Sequence, residues 1–122
     1  MSNTPTTLGI VPVIPSADIE RDLAWHQKFT GFSYYFGDSG YTGIRRGDWE
    51  IHLQLYRGTG EDPMPDGSVV KIFVPDIYPL LEELAERGTI KKDQLRRNTP
   101  WGTHEFGFFD LNKNAFFFVQ DA

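Results

Sequence analysis

Residues 15–56 read PSADIERDLAWHQKFTGFSYYFGDSGYTGIRRGDWEIHLQLY, and the hydrophobic period of this stretch changes partway along. The first part carries apolar residues at the spacing of one helix face, namely Ile19, Leu23, Trp25 and Phe29. After Gly31 the chain continues as short runs of aromatic and β-branched residues, separated by GDSG and GD. These are typical of antiparallel strands joined by tight turns. The stretch therefore predicts one helix of residues 19–29 followed by three strands.

The residues before this helix are apolar as well. Residues 8–14 read LGIVPVI and predict a first strand, and either Ser16 or Asp18 could cap the helix that follows. Together these elements make a β-α-β-β-β module of about residues 8–56.

A second module begins at Ser68 in the same order. The segment SVVKIFV predicts a strand, and PDIYPLLEELAERG predicts a helix that Asp76 caps and Gly88 ends. HEFGFFD and NAFFFVQ then predict strands on either side of the turn LNKN. We therefore expect a single domain, residues 1–122, with a second module of about 68–120 and a linker of about 57–67.

Composition narrows the classes of function. With 12 basic and 17 acidic residues the net charge is −5, which disfavours nucleic acid as a partner. The absence of cysteine excludes disulfides, thiolate metal sites and cysteine nucleophiles. No export signal or membrane span is evident, so we expect a cytoplasmic protein that does not act at a membrane.

Two segments carry a family resemblance. The paired modules, with PSADIERDLAWHQKFTGF early and PWGTHEFGFFDLNKN late, resemble the vicinal oxygen chelate superfamily of glyoxalases, extradiol dioxygenases and antibiotic-resistance proteins. Within it, GFSYYFGDSGYTGIRRGDWEIHLQLY and TPWGTHEFGFFD are most similar to bleomycin resistance proteins, which bind the drug without modifying it. One departure is the sequence DLNKN at 110–114, where the family usually has a DPxGN turn.

The resemblance implies a fold and an assembly. The fold is α+β, with two tandem β-α-β-β-β modules forming a curved mixed sheet and helices on its convex side. The assembly is a homodimer, because resistance proteins complete their ligand groove with a second subunit.

Metal-dependent members of this superfamily take their ligands from the first and last strands of each module. The corresponding positions here fall near Val11 and Val69 on the first strands, and at His52 and Phe117 on the last strands. Only His52 offers a donor, and one donor cannot hold a catalytic divalent ion. We therefore expect no metal, no other cofactor and no catalytic residue. The alternative is a metal-dependent glyoxalase- or dioxygenase-like enzyme that uses His52 with further donors such as His104 and Glu105.

Strand alternation predicts which side chains face a ligand. In WEIHLQLY, residues 49–56, alternate residues share a face. Trp49, Ile51, Leu53 and Leu55 should meet the helix. The concave side should receive Glu50, His52, Gln54 and Tyr56, a mixed polar set suited to orienting a ligand.

Aromatic residues supply the remaining candidates. Phe116 and Phe118 should pack under the helix, with Phe117 facing the concavity. Trp101 follows a proline in a loop, where the resemblance places an aromatic wall of the drug groove. Strict alternation would put Phe32, Tyr34 and Phe36 on one face, and the candidates for ligand contact from this region are Tyr34, Phe36 and Tyr41.

These observations favour a metal-free binding protein. It would sequester a bulky, partly aromatic, cationic small molecule such as a bleomycin-type antibiotic, with aromatic side chains stacking on its rings and carboxylates attracting its charge. Besides the enzyme alternative, a third possibility is a superfamily member that serves as a partner-binding or regulatory module.

Overall fold

The structure is a computed structural model that describes residues 5–58 and 67–122. Most of the predicted linker, residues 59–66, lies outside these ranges, so the linker remains a prediction. The described residues form seven strands, two α-helices and one short 3-10 helix. In chain order these are β1 Val13–Ser16, α1 Ile19–Phe29, β2 Ser33–Gly37, β3 Tyr41–Arg46, β4 Trp49–Leu55, β5 Val69–Phe73, α2 Tyr78–Glu86, the 3-10 helix Lys92–Gln94, β6 Thr103–Phe109 and β7 Ala115–Asp121.

Two mixed sheets reflect the two modules. The first has strand order β1-β4-β3-β2, and the second has β5-β7-β6. In each sheet the first strand pairs in parallel with the last strand of its module, and the last strand pairs with its neighbour in antiparallel. The α+β class and the tandem arrangement are confirmed. The second module differs in one detail, because the segment after α2 joins β6 only through a bridge between Arg96 and Glu105.

Helix α1 begins where its sequence predicts. The Asp18 carboxylate accepts a hydrogen bond from the Arg21 backbone N–H at 3.0 Å, so Asp18 is the N-cap. Ser16, the other candidate, is buried and donates its hydroxyl to the Asp22 carboxylate. The chain leaves the helix through Gly31, whose φ of +76° lies in the left-handed region that favours glycine.

The buried side of α1 differs from the predicted stripe. Ile19 is buried as expected, but Leu23, Trp25 and Phe29 are only half-buried. The other fully covered positions of the helix are polar, Asp22 and His26. A pattern read from apolar residues alone misses these two positions, because it assigns polar residues to the exposed side of the helix.

One hydrophobic core joins both modules. Ile51 and Leu53 of β4 are buried, which confirms the predicted alternation of this strand. From the second module Phe106, Phe108, Phe116 and Phe118 enter the same core. The rings of Phe108 and Phe116 stack with centroids 5.4 Å apart. Burying each of these rings contributes on the order of 2 kcal/mol to stability.

The first strand starts later than predicted. Pairing with β4 begins with the bond from the His52 N–H to the Pro12 carbonyl at 3.0 Å, and β1 itself starts at Val13. Leu8 and Ile10 are fully exposed instead of continuing the strand. Pro12 has no N–H to offer a ladder, which gives a physical reason for the strand to start only after it.

The turn of residues 110–114 ties the second module to the start of α1. The Asn112 side-chain oxygen accepts hydrogen bonds from the Ala17 N–H and from Arg21, both at 2.9 Å, and its amide donates to Asp22 at 2.7 Å. Asn114 donates to the Pro15 carbonyl at 3.0 Å. We call these contacts the inter-module clasp.

A second tie joins β3 to α2. Both terminal nitrogens of Arg46 donate to the Glu83 carboxylate at 2.6 Å, and one also donates to the Thr30 carbonyl at 2.8 Å. The hydrogen bond from Arg46, with help from Arg87, holds the pKa of Glu83 below its usual range. Within residues 5–58 and 67–122, neither α-helix has the length and apolar character that a membrane span needs.

Candidate ligand-binding site

Each sheet has one face turned toward the core and one turned away from it, which we call the open face. On β4 the open face carries Glu50, His52 and Gln54, all half-buried, as alternation predicts. Polar side chains at these positions therefore lie outside the core.

A β-bulge decides which aromatic residues of β2 join them. Tyr34 pairs with Ile44, but Phe36 pairs with Gly43, so Tyr35 is the extra residue between them. The bulge breaks the alternation and puts Tyr34 and Phe36 on opposite faces. The prediction that both share one face is therefore wrong.

These two aromatic residues consequently have different surroundings. Tyr34 lies on the core side, where it lines a small cavity with Ile19 and Leu23 of α1. Phe36 lies on the open face, against His52. Of the two candidates, the structure brings only Phe36 to the polar side chains of β4.

Four side chains form a compact group on the open face of the first sheet, which we call the open-face cluster: Phe36, Tyr41, Glu50 and His52. The Tyr41 hydroxyl lies 2.7 Å from His52 Nδ1, and His52 Nε2 lies 2.7 Å from Glu50 Oε2. The Phe36 ring meets the imidazole edge to face at 5.0 Å. All four residues were predicted as ligand contacts, and the structure brings them together.

The cluster depends on the small residue beneath it. A Cβ added at Gly43 would lie 2.2 Å from the Phe36 ring, well inside any allowed contact. Only glycine at this position lets the ring lie flat on the sheet beside His52.

Charge in the cluster is partly balanced. Glu50 Oε1 lies 4.0 Å from Arg45 Nε, and the Arg45 guanidinium stacks over Tyr35 at 4.6 Å. The pKa of Tyr41 is raised, mainly by partial burial and to a smaller extent by the negative charge of Glu50. Tyr41 is therefore a neutral phenol at physiological pH.

The other two candidates from residues 49–56 are not members of this cluster. Gln54 is opposite Tyr41 in the strand register. Tyr56 follows the end of β4 and lines a separate cavity of about 220 Å³ with Ala17, Leu111 and other residues of the clasp region. The structure thus places Tyr56 apart from the cluster.

The second module has a larger cavity on its open face, about 430 Å³ in volume. Phe117 is in its wall, as predicted, together with Phe109 and Glu105. The segment after α2 supplies the opposite wall through Gln94 and Arg96. We call this space the module-two cavity.

Trp101 adjoins this cavity through Glu105. The indole N–H of Trp101 donates to Glu105 Oε2 at 3.2 Å, and the Thr103 hydroxyl donates to the same oxygen at 3.0 Å. Glu105 is only 3% exposed, whereas Trp101 is 56% exposed with the Arg96 guanidinium 5.2 Å over its ring. Trp101 thus has an exposed aromatic surface beside Arg96, and its indole N–H is held by a buried carboxylate.

Sequence reasoning did not predict the two charged residues that line this cavity, Glu105 and Arg96, as ligand contacts. Glu105 alternates with core residues of β6 and shares the open face with Gly107. The alternation of side chains along a strand therefore predicts that Glu105 lies on this face. Arg96 belongs to a basic run that we would assign to a solvated loop, and nothing in the sequence separates it from its neighbours.

The donor set does not fit a catalytic metal. On the first strands, the positions paired with His52 and Phe117 are Val13 and Lys71, neither of which is a usual ligand. Both ring nitrogens of His52 are already hydrogen-bonded, and His104 Nδ1 accepts the Asn98 N–H at 3.0 Å. Across residues 5–58 and 67–122 there is no group of three or more His, Asp or Glu side chains that could hold an ion.

Solved structures with the same fold are numerous. A bleomycin resistance determinant encoded on the transposon Tn5 aligns with a TM-score of 0.76 at 19% identity, over 94% of this chain and 98% of its own. A bleomycin-binding protein from Streptomyces verticillus, in complex with copper(II)-bleomycin, gives 0.71 at 25% identity, over 98% and 100%. A glyoxalase-related enzyme from Clostridium phytofermentans gives 0.72 at 16% identity, over 99% and 100%.

Sequence comparison alone finds less. No family model matches the chain, and no curated protein matches it either. The likeness therefore rests on the order and pairing of the strands. The chain therefore shares its fold with bleomycin resistance proteins and glyoxalase-related proteins, both of which are among its structural neighbours.

Proposed function

We propose that this protein binds and sequesters a bulky, partly aromatic, cationic small molecule such as a bleomycin-type antibiotic. The observation that carries the proposal is the pairing of an exposed ring with a carboxylate on the open face of both modules. In the first module Phe36 packs against His52, which is hydrogen-bonded to Glu50, and in the second module Trp101 is hydrogen-bonded to Glu105. Rings give stacking surfaces for planar groups, and carboxylates attract positive charge.

The cavity of the second module is large enough to hold part of such a ligand. The module-two cavity of about 430 Å³ is within the usual range for small-molecule sites. The net charge of −5 further favours a cationic ligand over an anionic one.

The protein functions as a homodimer in this proposal. In one chain the half-buried open-face cluster has no facing wall among the described residues, whereas Gln94 and Arg96 already face the sheet across the module-two cavity. A second copy supplies the opposite wall, and the open-face cluster of one subunit then works together with the module-two cavity of the other.

Metal-dependent catalysis is the weaker alternative. A metal would have to displace Tyr41 or Glu50 to reach a nitrogen of His52, and the paired strand positions offer it no further ligand. The proposal therefore has no cofactor and no catalytic residue.

Calorimetric titration tests the proposed ligand. We expect both metal-free bleomycin and copper(II)-bleomycin to bind, with Phe36→Ala weakening the affinity by about tenfold, the loss of one good aromatic contact. Tyr34→Ala is the matched control, because Tyr34 lies on the opposite face and its removal should leave the affinity unchanged. Absence of binding by the wild-type protein would refute the assignment of this ligand.

Light scattering tests the assembly. A chain of 14.0 kDa should scatter as a particle of twice that mass at micromolar concentration. A monomer at every accessible concentration would leave the groove without its second wall, and this part of the proposal would fail.

A chelator separates the binder from the enzyme. Bound metal-free bleomycin should remain bound when EDTA is added, and the protein should unfold at the same temperature with and without it. If EDTA abolished binding and a divalent ion restored it, the donor count made from the strand register would be wrong.

A further inference from the structure

We propose that the hydrogen-bonded chain Glu50–His52–Tyr41 makes the Tyr41 oxygen an acceptor toward the ligand, so that the open-face cluster selects hydrogen-bond donors. This inference deepens the proposed binding function of the same cluster. It names the chemical group that Tyr41 would contact: an N–H, such as that of an ammonium, amidinium, amide or pyrrole-type ring.

The groups at the two ends of this series determine which atom donates in each hydrogen bond. An ionised Glu50 has no proton, so at 2.7 Å it accepts one from His52 Nε2. In a neutral imidazole the other nitrogen, Nδ1, then carries only a lone pair. At 2.7 Å from Nδ1, Tyr41 must donate its hydroxyl proton to it.

The phenol has only one proton to give. Once that proton is held by His52, the Tyr41 oxygen presents only lone pairs to its surroundings. The raised pKa of Tyr41 is consistent with a phenol that keeps this proton. A ligand acceptor placed against the Tyr41 oxygen could not form a hydrogen bond with it, because both groups would present lone pairs. Binding such a ligand would leave both groups unsatisfied, which costs free energy.

The surroundings reinforce this preference. Glu50 adds negative charge within the cluster, although Arg45 lies 4.0 Å away and balances part of it. Glu50 also lines a neighbouring cavity, whose other charged lining residues are Asp48 and Lys71. Phe36 flanks Tyr41 with its ring centroid 6.4 Å away, so an aromatic N–H donor could stack and donate together.

The hydrogen-bond chain can be tested without any ligand. We expect NMR of the His52 ring nitrogens, near neutral pH, to show the tautomer protonated at Nε2. Glu50→Gln should mix the two tautomers, because an amide can present either its oxygen or its nitrogen to the ring. Tyr41→Phe should keep Nε2 protonated, since Glu50 remains. Protonation at Nδ1 in the wild-type protein would overturn the inference.

The selectivity is tested with indole and benzofuran, which have the same shape and differ in one ring N–H. By NMR titration at millimolar concentration, we expect indole to bind about fivefold more tightly, the effect of one hydrogen bond. Tyr41→Phe and Glu50→Gln should each bring the ratio near one, with Tyr34→Phe as a control that leaves it unchanged.

Equal binding of the two probes, preference for benzofuran, or no binding of either would refute donor selection by Tyr41. The proposed function fails separately, if neither form of bleomycin binds. A protein that binds bleomycin but does not distinguish the probes would retain the function and lose this inference.

Discussion

His26 makes the stability of this protein depend on pH in a predictable direction. Its side chain is 1% exposed on α1 and lies among the rings of Trp25, Phe32 and Phe116. Nδ1 lies 3.0 Å from the Thr30 hydroxyl, while Nε2 is buried without a hydrogen-bond partner. Since that hydroxyl donates to the His26 carbonyl, it accepts from Nδ1–H, and the buried Nε2 is a lone pair.

Protonation would put a charge on this buried nitrogen. Burial lowers the pKa of His26 from 6.5 to about 4, against a smaller opposing effect of the Asp22 charge. The unfolded chain takes up the proton near pH 6.5 and the folded chain only near pH 4. Stability from this group is therefore complete above pH 6.5 and falls as the pH drops from there to about 4.

The size of the effect follows from the same two values. Their difference, at 1.36 kcal/mol per pKa unit, amounts to about 3 kcal/mol in full, of which about 2 kcal/mol is lost by about pH 5. Such a loss is a large part of the stability of a small domain.

Urea unfolding of the wild-type protein and of His26→Phe, from about pH 7.5 to about pH 5, measures the effect. The phenylalanine ring suits the aromatic surroundings and cannot be protonated, so the variant should lose about 2 kcal/mol less than the wild type over this range. The comparison removes the effects common to both proteins, so the difference comes from His26 and its interaction with Asp22. His104→Gln, which removes a half-buried histidine outside this group of rings, is the control for the loss of a histidine as such. Equal pH dependence of the wild type and His26→Phe would refute the reasoning.

Three further predictions concern ligand binding and packing. Trp101→Ala should weaken bleomycin binding by about 1–3 kcal/mol in calorimetric titration. Trp101→Phe keeps an aromatic ring and should lose less binding free energy. Equal losses in the two variants would contradict a stacking role. Gly43→Ala should lower the free energy of unfolding by about 1–3 kcal/mol in urea, because its methyl group displaces the Phe36 ring, and adding Phe36→Ala should recover most of that loss. Arg46→Lys should lower the free energy of unfolding by about 1 kcal/mol in urea, because lysine keeps the charge but loses the paired hydrogen bonds to the half-exposed Glu83. Unchanged stability of this variant would contradict the role of Arg46.

Local patterns predicted most of the fold. The start and end of α1, the two faces of β4, and the burial of Phe116 and Phe118 all follow from short-range rules of capping and alternation. The extent of β1 did not follow, because an apolar sequence says nothing about which of its residues find a partner strand. The residues before Val13 show this, since they are as apolar as the strand itself.

The site was predictable where alternation is unbroken. Glu50, His52 and Phe117 lie on the faces that the period of two assigns to them. Phe36 does not share a face with Phe32 and Tyr34 as alternation predicts, because one extra residue in β2 reverses the face, and no residue type marks a bulge of this kind. Arg96 reaches the module-two cavity through the path of a loop, which depends on tertiary structure and leaves no periodic signal.

The inter-module clasp also constrains when the chain can finish folding during its synthesis. Asp22 lies early in the sequence and is buried in the folded protein. One of its hydrogen-bond donors, Asn112, is synthesised 90 residues later. Until that residue has left the ribosome, the first module holds a carboxylate that has lost water without gaining all its partners. The first module should therefore complete its folding only after synthesis of the clasp, and a ribosome-bound chain halted before residue 110 should remain open to protease near the start of α1.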